Sequence, residues 1–125
     1  MLLDTHVLLW WAEGDRRLGP LAQRLFTLPP ATLRFSAVSA WEISIKITAG
    51  RLALDDDVEV LVARAGLMAL PLTMAHALAA GRLPRLHGDP FDRALIAQAQ
   101  VEGLQLVSAD RAVLAYDVDS LDART

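Results

Sequence analysis

An α/β domain built on a parallel sheet, with helices on both faces, is the fold class the sequence predicts. Three observations lead there. Short apolar runs such as Leu104 to Ser108 alternate with stretches of helical periodicity along the 125 residues, the pattern of strand–helix repeats. The runs are short and largely apolar, as strands of a sheet covered on both faces are. Helix boundaries are marked locally: Asp89-Pro90 places a side-chain acceptor at an N-cap and proline at the first helical position, and Gly103 ends the helix so opened.

The elements follow in order. Met1 to Asp4 is a very short strand with Asp4 at its carboxyl end, and Val7 to Trp11 belong to a helix opening straight off it, broken at Gly14-Asp15. Pro20 to Leu28 forms a second helix with Leu21, Leu25 and Phe26 inward, stopped by Pro29-Pro30. Leu33 to Val38 is the next strand. Ser39-Ala40-Trp41-Glu42 opens a helix that runs to about Thr48 and is closed by Gly50, with Ile43 and Ile47 on one face. Asp55-Asp56-Asp57 is an acidic helix start, favourable against the helix dipole, leading through Val58, Leu61 and Val62 to Gly66. Leu67 to Leu72 reads as a third inner strand, Thr73 caps a short helix to Ala80, and Gly81 to Gly88 is a loop carrying Arg82, Arg85 and His87. The helix from Pro90 to about Glu102 gathers Phe91, Leu95, Ile96 and Ala99 on an apolar face. After the strand at Leu104 to Ser108, Asp110 begins a last short helix, and Val118 marks a final edge strand.

Composition bounds the rest. Residues 1–125 make one domain, long enough for a real core. No window approaches the roughly 18 uninterrupted apolar residues of a membrane span. The start meets Asp4 almost at once and carries no basic leader, so no signal peptide is expected. There is no cysteine, hence no disulfide and no thiolate ligand, and a cytoplasmic location is the expectation. A net charge of −3 argues against a protein that coats nucleic acid through bulk positive charge. It leaves room for a nucleic-acid enzyme that offsets its own acids with metal ions.

Functional groups of parallel sheets collect beyond the carboxyl ends of the strands. Asp4 ends the first strand, Glu42 lies just past the second, Asp110 just past the fourth, and Asp92 sits in the first turn of the Pro90 helix. Each has an ordinary explanation. Ser39-x-x-Glu42 fits a capping box, and Glu42 can pair with Lys46 for about 0.3–0.5 kcal/mol. Asp89 to Asp92 has cap spacing, and Asp110 can cap the last helix. Asp4 resists such a reading, because an acid between an apolar strand and an apolar helix is desolvated, which is costly without a partner or a metal. Together, the four would raise one another's pKa values unless divalent cations neutralise them. An all-oxygen cluster suits Mg²⁺ or Mn²⁺, as one or two ions, and phosphodiester hydrolysis is the chemistry that uses such a site.

The pieces Asp4-Thr5-His6, Ser39-Ala40-Trp41-Glu42-Ile43 with Lys46 and Gly50-Arg51-Leu52, His87-x-Asp89-Pro90-Phe91-Asp92-Arg93 and Ser108-Ala109-Asp110 resemble the PIN-domain family, in particular its VapC-type toxins. The likeness runs from Asp4 to about Asp110, in order. It implies a three-layer α/β/α fold with a mainly parallel central sheet, and a Mg²⁺- or Mn²⁺-dependent endoribonuclease whose first to fourth acids are Asp4, Glu42, Asp92 and Asp110, serving as metal ligands. It further implies an RNA substrate, a cognate antitoxin protein and commonly a toxin homodimer. The competing reading is a toxin of the same fold that binds RNA and blocks it without cutting. A haloacid dehalogenase-type phosphatase would need a second aspartate where His6 stands, and a receiver domain an acidic pair beside Asp4.

Among supporting residues, the hydroxyls of Thr5 and Ser108 are suited to holding a carboxylate, or else to a turn or cap. Asp89 caps its helix. His6 and His87 read as loop or packing residues before phosphate contacts. Arg93, Arg82 and Arg85 are phosphate-contact candidates, while Lys46 and Arg51 contact RNA or balance Glu42. Trp10, Trp11 and Trp41 read as core or interface residues.

Overall fold

The computed structural model describes all residues from 1 to 125. Its sheet has five strands, β1 (Leu2–Leu3), β2 (Arg34–Ser36), β3 (Met68–Leu70), β4 (Leu106–Ser108) and β5 (Ser120–Asp122), in the order β3-β2-β1-β4-β5. Every pairing is parallel, so the expected mainly parallel sheet is wholly so. The seven helices are α1 (Thr5–Glu13), α2 (Pro20–Leu25), α3 (Ala37–Thr48), α4 (Val58–Arg64), α5 (Met74–Arg82), α6 (Pro90–Glu102) and α7 (Arg111–Leu114).

The two residues of β1 explain the layering. Successive strand side chains point to opposite faces, and Leu3 enters a core with Val7, Leu8, Phe35, Ile43, Leu61 and Val107. Leu2 enters another with Leu95, Ile96, Ala99, Leu106 and Val113. One layer of helices therefore packs on each face. Strand order runs outward from β1 in one direction through β2 and β3, then in the other through β4 and β5. That reversal leaves a crevice past the carboxyl ends of β1 and β4, where such sheets bind ligands.

Local signals set α6 as expected: Asp89 Oδ1 accepts from the N–H groups of Phe91 (2.8 Å) and Asp92 (3.3 Å), and Gly103 takes the left-handed φ of 64°. Elsewhere the chain departs from its local reading. The N-cap of α3 is Ser36, whose Oγ accepts from Val38 N–H at 3.0 Å, so the helix starts before Ser39 and Ser39 lies inside it. Ile43 is buried but Ile47 exposed, and in α2, which stops at Leu25, Ala22 points inward while Leu21 is exposed. β3 is an edge strand, with Met68 and Ala69 exposed. α5 extends through Arg82, and β5 begins after Val118. Phe91 is only half-buried, its ring edge-on to an exposed Trp41 at 5.1 Å, so neither ring belongs to the core.

A polar chain unforeseen from sequence runs through the sheet–α6 interface. Ser36 Oγ donates to Gln98 Oε1 at 2.5 Å, and Gln98 Nε2 donates to Pro71 O at 3.3 Å. Buried His76 accepts from Thr73 N–H through Nδ1 (3.0 Å) and meets Glu102 through Nε2 (2.8 Å).

Candidate functional site

Asp4 leaves β1 as the N-cap of α1. Its Oδ1 accepts from Thr5 N–H and its Oδ2 from Ser108 Oγ at the end of β4, both at 2.7 Å. At 3% exposure it is desolvated, as its place between two apolar elements requires. Ser108 Oγ also accepts from Asp110 N–H at 3.0 Å, so one hydroxyl ties the first acid to the last. Asp110 caps α7, its Oδ1 accepting from Ala112 N–H at 2.9 Å.

Glu42 projects from the second turn of α3. Thr5 Oγ1 donates to its Oε1 at 2.6 Å and lies 2.9 Å from Ser39 Oγ, while Lys46 Nζ sits 3.2 Å from its Oε2. The Ser39–Glu42 capping box is absent, because Ser36 caps α3 and Ser39 lies inside the helix. Asp92, in the first turn of α6, has Oδ2 2.7 Å from His87 Nε2. Four elements thus bring Asp4, Glu42, Asp92 and Asp110, with Thr5, Lys46 and Asp89, around one cleft of about 260 Å³. A wider cavity of about 690 Å³ beside Trp10 and Trp11 has only one acid, Asp15, already held by Arg17 at 2.7 Å.

Charge is concentrated in the smaller cleft. Burial pushes Asp92 up to about 7, with Asp4, Asp89 and Asp110 adding to the effect against the lowering influence of His87. Burial also raises Asp4, opposed by His6, Ser108 and Thr5. The hydrogen bond to Asp92 holds the His87 imidazolium above its ordinary value. Acids in this state are not comfortably ionised together, and a divalent cation is the charge they lack. The donor chemistry fits: carboxylates with no thiolate, and His87, Asp92 and Asp110 presenting donor atoms all within 4.8 Å of one another.

Supporting residues separate. Thr5 and Ser108 hold carboxylates; Asp89 caps α6 and lines the cleft. His6 is a wedge: its Nε2 accepts from Ala109 N–H at 3.0 Å and its ring packs on Trp10 at 4.8 Å. Arg93, read from sequence as a phosphate-contact candidate, has its guanidinium turned onto the carbonyls of Ala80 and Leu83 (2.9 Å each) and Pro84 (3.0 Å). Arg51, Arg82 and Arg85 are exposed. Ser39, read from sequence as half of a capping box, instead partners Thr5, and one residue that matters locally escaped the sequence: Tyr116, the one tyrosine of the chain, accepts from His87 N–H at 2.9 Å.

The family model described as PIN domain matches residues 1–119. A search of curated proteins returns no match. Among solved structures, a toxin–antitoxin complex from Klebsiella pneumoniae is similar at a TM-score of 0.70 and 18% identity, covering 98% of this chain and 96% of that one. A DNA-bound VapBC from Salmonella typhimurium gives 0.70 and 16%, with coverage of 98% and 96%. VapBC2 from Rickettsia felis, bound to a DNA fragment from the promoter, gives 0.68 and 11%, covering 97% and 98%. At these identities the likeness is one of fold.

Proposed function

Because the chain belongs to the PIN domain family, whose members are generally nucleases, we propose that it is a Mg²⁺- or Mn²⁺-dependent endoribonuclease acting as the toxin of a toxin–antitoxin pair. The observation that carries the reading is the convergence of Asp4, Glu42, Asp92 and Asp110, from four separate elements, on one cleft at the carboxyl ends of the strands. The toxin role, the protein antitoxin and a homodimer are carried over from neighbours of like fold that are toxin–antitoxin complexes. No helix is long and apolar enough to cross a membrane.

In this reading the four carboxylates would hold the cation, which would supply Lewis acidity for hydrolysis of a phosphodiester and offset charge on the phosphate. The chain's own part is placement. Ser108 bonds to Asp4 and, through the backbone, to Asp110, so one hydroxyl positions both acids. Thr5 fixes Glu42, and Lys46 balances its charge while leaving the cleft net negative. Hydrogen-bonded second partners of this kind keep ligands in one rotamer.

The test is cleavage of RNA by the purified chain, with Mg²⁺ and with EDTA, beside Asp4→Asn, Glu42→Gln and Asp110→Asn. Amides are poor metal ligands of the same shape, so cleavage should vanish in each variant while the far-ultraviolet circular dichroism stays native. Full activity in two of them would refute the site. Growth arrest by both wild type and Asp4→Asn, without new RNA ends, would replace cutting by blocking.

A further inference from the structure

We propose that His87 is a nitrogen donor to the metal centre, and that it tilts the site towards Mn²⁺ over Mg²⁺; this rests on the metal-dependent reading above. Donors sharing one cation at about 2.1 Å lie roughly 3–4 Å apart. His87, Asp92 and Asp110 are within 4.8 Å, with His87 Nε2 and Asp92 Oδ2 at 2.7 Å, so only a slight parting of those two is needed. A cation between the two groups takes the place of the proton they share and releases it to solvent, leaving a neutral imidazole with its proton on Nδ1 and the Nε2 lone pair on the ion.

The loop between α5 and α6 is built to deliver that ring. His87 N–H donates to Tyr116 Oη at 2.9 Å, and its carbonyl accepts from Arg93 Nη1 at 3.4 Å and Tyr116 Oη–H at 3.3 Å. Arg93 anchors the approach to His87 through the carbonyls of Ala80, Leu83 and Pro84, a use for which the guanidinium fork is suited and an ammonium is not. A residue held on both sides of its backbone presents its side chain at a fixed place. Of the other two histidines, His76 is engaged with Thr73 N–H and Glu102, and His6, which lines the same cleft, has Nε2 taken by Ala109 N–H and Nδ1 3.7 Å from Asp4 Oδ2.

The selectivity follows from donor chemistry. Mg²⁺ prefers oxygen and sheds water reluctantly, whereas mixed carboxylate–imidazole sets accommodate iron and manganese. Replacing one oxygen or water donor by imidazole therefore improves the site for Mn²⁺ and does little for Mg²⁺.

The experiment uses the full chain with Mn²⁺ alone. Pulsed electron paramagnetic resonance of the bound Mn²⁺ should show a directly coordinated ¹⁴N, lost in His87→Asn. By calorimetry His87→Asn should weaken Mn²⁺ binding about ten-fold or more, while Mg²⁺ binding changes far less. Mn²⁺ bound by the wild type without ¹⁴N coupling would overturn the role of His87 and leave the acidic centre standing. Equal losses for both ions would overturn the selectivity. No Mn²⁺ binding by the wild type would overturn both this inference and the metal-dependent reading. The wild-type spectrum decides the central point even if the variant folds poorly.

Discussion

Replacing Asp92 by asparagine should stabilise the metal-free protein at alkaline pH. The carboxyl is raised from 3.8 to about 7, chiefly by burial. Between those values the folded chain keeps a proton that the unfolded chain has lost, so stability falls as pH climbs through that window. His87, raised by its bond to Asp92, acts in the same direction: its contribution is present below its ordinary 6.5 and lost as pH rises through the folded value. At about 1.36 kcal/mol per unit, the Asp92 shift sets a ceiling of roughly 4 kcal/mol. Solvent entering the cleft screens the charge, and ~2 kcal/mol is the expected remainder. The amide cannot ionise, so at pH 8 in EDTA Asp92→Asn should melt roughly 6–10 °C above wild type. At pH 4, where the carboxyl is largely protonated in the folded chain, the advantage of the variant should disappear. Added Mg²⁺ should raise the wild type and leave the variant nearly unmoved. Thermal unfolding followed by circular dichroism reads all of this, and a variant that melts at or below wild type at pH 8 in EDTA would refute the argument that burial and neighbouring acids strain Asp92.

Other perturbations separate site from scaffold. Thr5→Val removes the hydroxyl on Glu42 and should weaken Mn²⁺ binding about 10–100-fold by calorimetry, whereas Thr5→Ser should restore it. Gln98→Met leaves the proton of the buried Ser36 hydroxyl without its acceptor and should cost about 1–3 kcal/mol in urea unfolding; a loss under about 0.5 kcal/mol would mean that the hydroxyl finds another partner. Phe91→Ala should cost about 1–2 kcal/mol, because its ring is half-buried, and not the 3–5 kcal/mol of a fully buried phenylalanine; urea unfolding distinguishes the two.

What could be read from sequence was what is fixed locally. Asp89, Pro90 and Gly103 determine both ends of α6 through hydrogen bonds and φ preferences within a few residues, and the structure has them there. The desolvation of Asp4 was readable from its apolar neighbours. Choices made by tertiary contact were not. Ser36 and Ser39 are equally good caps in sequence, and Ser36 wins because β2 ends there and pairs in register with β3 up to Leu70. Leu67 to Leu72 is apolar enough for an inner strand, yet lies at the edge because no strand follows on its far side. Arg93 reads as a cation for phosphate, but its partners are carbonyls of α5 and the loop after it. In the site, the acids themselves stood out, while Ser39, Tyr116 and the use of His87 depended on which loops meet. Thr73-x-x-His76 was a readable cue, since His76 completes a capping box on α5.

The central position of β1 bears on timing. Its two residues pair with β2 on one side and with β4 on the other, and the Asp4–Ser108 bond closes a sequence separation of 104 residues. A chain emerging from the ribosome in order therefore offers its first strand long before the second neighbour exists. Contacts of such range also make folding slow relative to local helix formation. On the nuclease reading, a half-made chain has Asp4 and Glu42 but no Asp92 or Asp110 to complete the cleft. The cleft then gains its full set of acids only once Asp110 has left the ribosome.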